Sequence, residues 1–123
     1  MNETAEERKL LQRLGLCVRA GCVIFGVPMI CEAMRRGGSS APVSVWEAGD
    51  TSENTHKKIS GKCTYYKVKH IRLACDGETL ASALGKTGSL GAVAVTNRGM
   101  SDMVEAIEKE VHGNRATQTE EKP

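Results

Sequence analysis

The stretch FGVPMICEAMRRGG, residues 25–38, combines a glycine and a proline with the start of a helical pattern. Neither Gly26 nor Val27 offers a side-chain cap. We therefore predict that the first-turn N–H groups at Met29 and Ile30 are free for water or an anion. The partial positive charge of a helix start would favour an anion there. The alternative is an ordinary solvated helix start.

A second segment, residues 54–72, contains no Asp or Glu. Its cationic, histidine and tyrosine residues are His56, Lys57, Lys58, Lys62, Tyr65, Tyr66, Lys67, Lys69, His70 and Arg72. The lysines could pair with phosphates while an exposed tyrosine stacks on a base. A solvated lysine face with both tyrosines packed inside is the alternative. Because the acids concentrate near the two ends of the chain, the segment predicts a basic side that attracts phosphate.

A third segment, LGKTGSLGAVAV, places three glycines with Lys86, Thr87 and Ser89 between a short helix and a strand. Such a loop is rich in backbone N–H groups and suits a nucleic-acid backbone. It differs from a nucleotide-binding phosphate loop, because its lysine follows the first glycine and a strand follows the loop. A nucleoside triphosphate site is therefore not expected.

Composition and motifs exclude several classes of protein. The 123 residues are 40% hydrophobic and 26% charged, which is ordinary for a soluble single domain. No apolar run approaches the roughly 18 residues of a membrane helix, and MNETAEERKL lacks the layout of a secretory signal. We therefore predict a cytoplasmic protein without a membrane partner. No nucleophile with its base and no paired carboxylates are apparent, which predicts a non-enzymatic protein without a cofactor.

The five cysteines are predicted to be thiols, because the chain shows no close C-x-x-C pair. A zinc site that combines Cys63, His70 and Cys75 is conceivable. It is not favoured, since structural zinc sites use four ligands at tighter spacings. No metal site is predicted.

Hydrophobic periodicity predicts helices that alternate with short strands. Predicted helices lie near residues 3–21, 28–36, 50–66, 76–85 and 101–112, and predicted strands near 22–25, 43–48, 68–74 and 91–96. This order favours the α/β class, as a single-domain three-layer α/β/α sandwich around a mixed sheet of about four strands. The domain is predicted to span residues 1–112. Residues 113–123 are predicted to form a disordered polar tail.

Three longer blocks carry a family resemblance: LLQRLGLCVRAG, GDTSENTHKKISGKCTYYKV and LASALGKTGSLGAVAVTNRGM. With the order of elements, they make residues 10–107 resemble the kink-turn RNA-binding ribosomal proteins of the L seven Ae type. Within that family the chain is most similar to the small bacterial YlxQ-like proteins. The resemblance implies the same three-layer fold and binding to structured RNA, in particular a sharply bent stem with tandem G·A pairs. Ribosomal RNA and a protein partner in the translation machinery are the further partners it implies.

By this resemblance the RNA would contact the starts of the second and third helices and the glycine loop. Together with neighbouring basic residues, the predicted RNA-binding set is Gly26, Val27, Pro28, Met29, Glu32, Arg35, Arg36, Asp50, Thr51, Ser52, Asn54, Lys57, Lys58, Leu84, Gly85, Lys86, Thr87, Gly88, Ser89, Leu90 and Gly91. The lysine-rich body of the third helix extends past the contact area of the family.

The chain departs from the family pattern at the second helix. In the strongest RNA binders this helix opens Gly-x-Asn-Glu, with a Lys three residues beyond the Glu, and these side chains read the G·A pairs. Here the corresponding residues are Pro28, Met29 and Glu32. A proline and a thioether are poor partners for a base edge, and Glu32 places negative charge where a cation is expected. The departure predicts weakened base readout, or alternatively a protein-interaction module of the same fold that has lost kink-turn recognition.

Overall fold

Helices and strands follow one another in the order that the sequence predicts. A computed structural model describes residues 4–120, with side chains for residues 4–109. The elements are α1 (Ala5–Arg19), β1 (Val23–Phe25), α2 (Val27–Arg36), β2 (Ser44–Glu47), α3 (Glu53–Tyr66), β3 (Lys69–Arg72), α4 (Gly77–Ala83), β4 (Ala92–Val95) and α5 (Arg98–Glu120). Among these described helices, none is both long and apolar enough to cross a membrane.

The four strands form one mixed sheet in the order β1-β4-β2-β3. β4 runs antiparallel to both β1 and β2, whereas β2 and β3 are parallel. Every residue of the two central strands is buried. The central strands are therefore covered on both faces, although β2 also buries the polar side chains of Ser44 and Glu47.

Helices cover both faces of the sheet, which confirms the predicted three-layer α/β/α sandwich. The larger core cluster includes Trp46 and, from α1, α4 and α5, the side chains of Leu14, Leu80 and Val104. The smaller cluster includes Val45 with Ile30 of α2 and Ile59 of α3. Side chains alternate across a strand, so the neighbours Val45 and Trp46 serve opposite faces of the same sheet.

The last helix begins earlier and ends later than the sequence predicts. It starts at Arg98 because Asn97 caps it: Oδ1 of Asn97 accepts a hydrogen bond from the N–H of Met100, at 2.9 Å. Ser101, a predicted opening residue, is instead buried and donates to Oγ of Ser44 at 2.7 Å. The helix continues past Gly113 to Glu120, over residues predicted to belong to a disordered tail. The division into a domain and a disordered tail stays a prediction, and residues 121–123 lie outside the described residues.

All five cysteines are free thiols. Cys63 packs in the smaller core cluster and Cys75 in the larger one, on the opposite face of the sheet. The conceivable zinc set of Cys63, His70 and Cys75 is therefore not brought together. Burial raises the pKa of Cys63 and of Cys17 to about 11, so both thiols stay protonated at neutral pH.

Candidate nucleic-acid interface

Three predicted segments meet in one shallow cleft of about 570 Å³. We call it the α2–α3 cleft. Its lining residues are Gly26, Val27, Pro28, Asp50, Thr51, Thr55, Lys58, Ser89, Leu90 and Gly91. Except for Thr55, each belongs to the predicted RNA-binding set. Thr55 lies one turn inside α3 on the same side as Thr51, a position that helical spacing alone could have indicated.

The start of α2 requires glycine at residue 26. Gly26 has φ 90° and ψ 144°, and its N–H donates to the carbonyl of Ala92 at 3.0 Å, which ties the turn to β4. No side chain caps this helix. Among the described residues, no acceptor faces the N–H groups of Val27 and Met29. Ile30 was predicted to be free as well, but its N–H donates to the carbonyl of Gly26 at 3.0 Å, because it already lies in the hydrogen-bonded part of the helix.

The segment that leads into α3 is held by its own polar side chains. Oγ of Ser52 accepts from the N–H of Thr55 at 3.2 Å and so caps the helix. Oδ1 of Asp50 accepts from the N–H of Gly77 at 2.9 Å, which connects this segment to α4. Ser52 and Asp50, both predicted RNA contacts, therefore have structural partners already.

The glycine loop is anchored tightly at one end and open at the other. The N–H of Leu90 donates to the carbonyl of Gly77 at 3.0 Å, and a Cβ added at Gly77 would lie 2.3 Å from Oγ of Ser89. Gly85 and Gly88 have φ of 78° and 81°, which only glycine adopts without strain. Both have open space where a side chain would stand.

Some donors of the glycine loop are used internally and others are not. The N–H groups of Gly85 and Lys86 donate to carbonyls of α4. Within the part of the chain that the structure describes, the N–H groups of Thr87, Gly88 and Ser89 have no acceptor. The loop therefore offers fewer free donors than the sequence predicts, but they are consecutive and belong to exposed residues.

Two predicted contacts of this loop have other roles. The side chain of Leu84 is buried in the larger core cluster, so its prediction as an RNA contact can apply only to its backbone. It follows α4 by one residue, and helical spacing places it with Leu80 on the core face. The ammonium of Lys86 lies 4.3 Å from the ring centroid of Phe25. This cation–π contact holds the loop beside the residue that precedes Gly26.

The charged residues at the far end of α2 pair with one another. Oε2 of Glu32 lies 2.6 Å from Nη2 of Arg35 and 3.5 Å from Nε of Arg36. The hydrogen bond from Arg35, together with its charge, holds the pKa of Glu32 below its usual value. None of the three lines the α2–α3 cleft. The negative charge that set Glu32 apart in the sequence is thus balanced locally.

The remaining predicted contacts surround the cleft. Met29 and Asn54 are exposed, and Lys57 lies 3.9 Å from Glu53 in an exposed ion pair of little energetic weight. Lys58 is exposed, lines the cleft and has no ion pair among the described residues. Lys58 is therefore the one cationic side chain among the lining residues of the cleft, which also include Asp50.

A polar cluster that the sequence did not predict lies beneath the start of α3. Oε1 of Glu47, fully buried at the end of β2, lies 2.9 Å from Nδ1 of His56 and 2.7 Å from Nε2 of His70. Oε2 of the same carboxylate accepts a short hydrogen bond from Thr51. Nη2 of Arg72 donates to the carbonyl and the hydroxyl of Thr51, both at 3.2 Å. The sequence signal that could have revealed this cluster is Glu47, an acidic residue within the predicted strand VSVWEA.

Burial acts to raise the pKa of Glu47, and hydrogen bonds from Thr51, His56 and His70 act to lower it. The net direction is downward, so the carboxylate is ionised at neutral pH. Ligand atoms of Glu47, His56 and His70 all lie within 4.8 Å of one another, a set that could hold a divalent metal ion. Without one, the carboxylate is already satisfied by hydrogen bonds, and the cluster joins the cleft segment at Thr51 to β2 and β3.

Two solved structures have a fold similar to that of this chain. The chain is similar to the Giardia lamblia 15.5kD RNA binding protein, with a TM-score of 0.70 and 13% identity over 92% of each chain. It is also similar to a protein of unknown function from Bacillus halodurans C, with a TM-score of 0.73 and 27% identity over 82% of this chain and 97% of that one. The fold is that of the L seven Ae class.

Sequence comparison gives the family within that class. The chain is 34% identical over 86 residues to the RNA-binding protein YlxQ of Enterococcus faecium, covering 70% of this chain and 79% of that protein. It is 33% identical over 89 residues to the RNA-binding protein YlxQ of Bacillus subtilis (strain 168), covering 72% and 84%. The chain belongs to the YlxQ family. No protein-family model matches it.

Proposed function

We propose that this chain is a non-enzymatic, cytoplasmic protein that binds structured RNA, of kink-turn or ribosomal type, through the α2–α3 cleft. The observation that carries the proposal is the meeting of the starts of α2 and α3 with the glycine loop in one cleft that Lys58 also lines. The two YlxQ relatives, which are named RNA-binding proteins, support it. A protein partner in the translation machinery is compatible with this role.

The cleft suits a phosphate backbone better than a base edge. Val27 and Ser89, which both line the cleft, have backbone N–H groups without an acceptor among the described residues, as do the neighbouring residues Met29, Thr87 and Gly88. These groups are amide donors near a helix start or in a glycine loop, where anions bind favourably. Lys58 adds a positive charge that steers and neutralises phosphate.

Base readout is expected to be weak at α2. Pro28 lines the cleft but has no donor, and Met29 presents a thioether that accepts hydrogen bonds poorly. Glu32 pairs with two arginines and does not line the cleft. Each bidentate base contact that is missing costs about 1–3 kcal/mol of discrimination. We therefore expect RNA binding that depends more on backbone shape and salt than on sequence.

A gel-shift titration with a kink-turn RNA, and with the same RNA lacking its G·A pairs, tests this proposal. Tighter binding to the kink-turn, with a modest ratio between the two, is the expected result. A large ratio would contradict weakened base readout while leaving RNA binding intact. Absence of binding to either RNA at low salt would overturn the proposed function.

One observation favours a second candidate, a protein-interaction module that has lost kink-turn recognition. Met29 is 58% exposed in the first turn of α2, where an apolar side chain suits a protein partner better than a base edge. This candidate predicts that the triple change Pro28→Asn, Met29→Glu and Glu32→Lys creates kink-turn binding that the original chain lacks. If the unmodified protein already binds and bends a kink-turn RNA as well as the triple variant does, this candidate is excluded.

A further inference from the structure

A second surface adjoins the α2–α3 cleft along α3. Its lining residues, Lys57, Lys58, Gly61, Lys62, Tyr65 and Tyr66, form a shallow groove of about 530 Å³. We call it the tyrosine groove. Lys58 lines both the groove and the cleft, so the two are continuous. This part of α3 lies beyond the contact area that the family resemblance implies.

The groove presents one aromatic ring to solvent on a fixed support. Tyr65 is 78% exposed, and its ring contacts that of Tyr66 in a T-shaped arrangement with centroids 4.8 Å apart. Tyr66 packs against the smaller core cluster. The exposed ring is therefore restrained by an anchored neighbour, which lowers the conformational entropy lost when a ligand stacks on it.

Gly61 keeps the approach to Tyr65 open. It lies one helical turn before Tyr65 on the same face, and a Cβ at this position would meet nothing within 4 Å. A glycine in a helix interior costs about 0.5–1 kcal/mol relative to alanine. No packing contact or positive φ at Gly61 explains that cost, and its missing side chain leaves the groove wall bare beside Tyr65.

The charge of the groove suits a polyanion. Lys58 and Lys62 are four residues apart on α3 and have no ion pair among the described residues. Like charges at this spacing repel one another, and a bound phosphate would relieve the repulsion. Lysines beside an exposed aromatic ring are the combination that binds single-stranded nucleic acid, with phosphates near the charges and a base on the ring.

We propose that the tyrosine groove binds a single-stranded stretch of RNA that continues from the structured RNA in the α2–α3 cleft. A base stacks on Tyr65, and the backbone passes Lys58 and Lys62. This inference rests on the proposed RNA-binding function and adds a second subsite to it. Stacking tolerates any base, so the groove extends affinity without reading sequence.

Fluorescence anisotropy tests the groove with two probes: a blunt-ended kink-turn RNA and the same RNA carrying a single-stranded oligouridine extension. The extension is placed in turn at the 5′ and the 3′ end of each RNA strand. We expect one extended RNA to bind the original chain about fivefold to tenfold more tightly than the blunt RNA, the lower end of the range for one stacked base. Tyr65→Ala should remove this gain and leave the blunt RNA unaffected, and Tyr65→Phe should retain it. Because Tyr65 is exposed, thermal melting should show that both variants fold.

The outcomes separate this inference from the proposed function. If the blunt RNA binds and no extension increases the affinity, the groove proposal alone is overturned. A gain that Lys62→Ala removes and Tyr65→Ala does not would show attraction by charge without stacking, and would also overturn it. Failure to bind the blunt RNA contradicts the proposed function and overturns the groove with it.

Discussion

Oε1 of Glu47 and Nε2 of His70 lie 2.7 Å apart, and the carboxylate is fully buried. The same oxygen lies 2.9 Å from Nδ1 of His56. Since Glu47 ends β2, His56 lies in α3 and His70 lies in β3, one carboxylate joins three elements. It also accepts from Thr51, which lines the α2–α3 cleft. The geometry of the cleft thus depends on a charge beneath it.

Glu47→Gln should destabilise the protein by about 1–3 kcal/mol, because the amide NH₂ group cannot accept the hydrogen bonds that the carboxylate accepts. Chemical denaturation measures this change in the free energy of unfolding. The exposed variant Glu78→Gln on α4 is the matched control and should change stability by less than about 0.5 kcal/mol. Equal effects of the two substitutions would show that the buried cluster contributes nothing.

The same carboxylate predicts a pH dependence. The pKa of Glu47 is lower in the folded state than the reference value of 4.5, so its ionised form stabilises the fold above that pH. The contribution is lost as the pH falls below 4.5 through the folded pKa, since the unfolded chain then binds the proton more readily. Denaturation curves at a series of pH values should show a smaller loss of stability below 4.5 in Glu47→Gln than in the original chain. Parallel pH profiles would contradict the lowered pKa.

Lys58→Ala should weaken RNA binding and reduce the salt dependence of the affinity. One lost phosphate contact lowers the slope of log K against log salt by about 0.9. Lys9→Ala is the matched control, because Lys9 is exposed on α1, on the opposite face of the sheet from the cleft. Anisotropy titrations at several salt concentrations measure both variants. If Lys9→Ala lowers the slope as much as Lys58→Ala, RNA does not bind at the cleft.

Two glycine-to-alanine substitutions should change stability in opposite directions. A Cβ at Gly77 would lie 2.7 Å from the carbonyl oxygen of Leu90, so Gly77→Ala should cost about 1–3 kcal/mol through overpacking. A Cβ at Gly61 has open space, so Gly61→Ala should stabilise α3 by about 0.5–1 kcal/mol. Thermal and chemical denaturation of both variants measure the difference. Stabilisation by Gly77→Ala would contradict the tight anchoring of the glycine loop.

Lys67→Gly should stabilise the end of α3. Lys67 is a C-cap in the left-handed region, with φ 59° and ψ 47°, where a residue with a Cβ is strained by roughly 1–2 kcal/mol. Glycine relieves the strain but loses more chain entropy on folding, so the expected net gain is about 0.5–1 kcal/mol. Lys62→Gly, in the interior of the same helix, should instead cost about 1 kcal/mol. A destabilised Lys67→Gly variant would contradict the left-handed cap.

The sequence by itself determined the kinds of elements, their order and most of the cleft. The helical spacing of Ile59, Cys63 and Tyr66 predicted the buried face of α3, and these side chains do pack in or against the smaller core cluster. The sequence pointed to Gly26, Gly85 and Gly88 as residues of turns or loops, and their positive φ values explain why glycine occurs there. These features depend on local backbone geometry and on the regular spacing of buried residues along a helix or strand. Both can be read from residues that are close together in the sequence.

Only the tertiary structure decided which side chains meet. Glu47 reaches His70 across 23 residues because β2 and β3 pair in parallel with a particular register, and no local pattern encodes that register. The contact of Lys86 with Phe25 likewise requires the glycine loop to fold back on a distant element. Long-range packing selects these partners from many residues of suitable chemistry. The sequence therefore identified the surface, and the fold decided which of its side chains are available to a ligand.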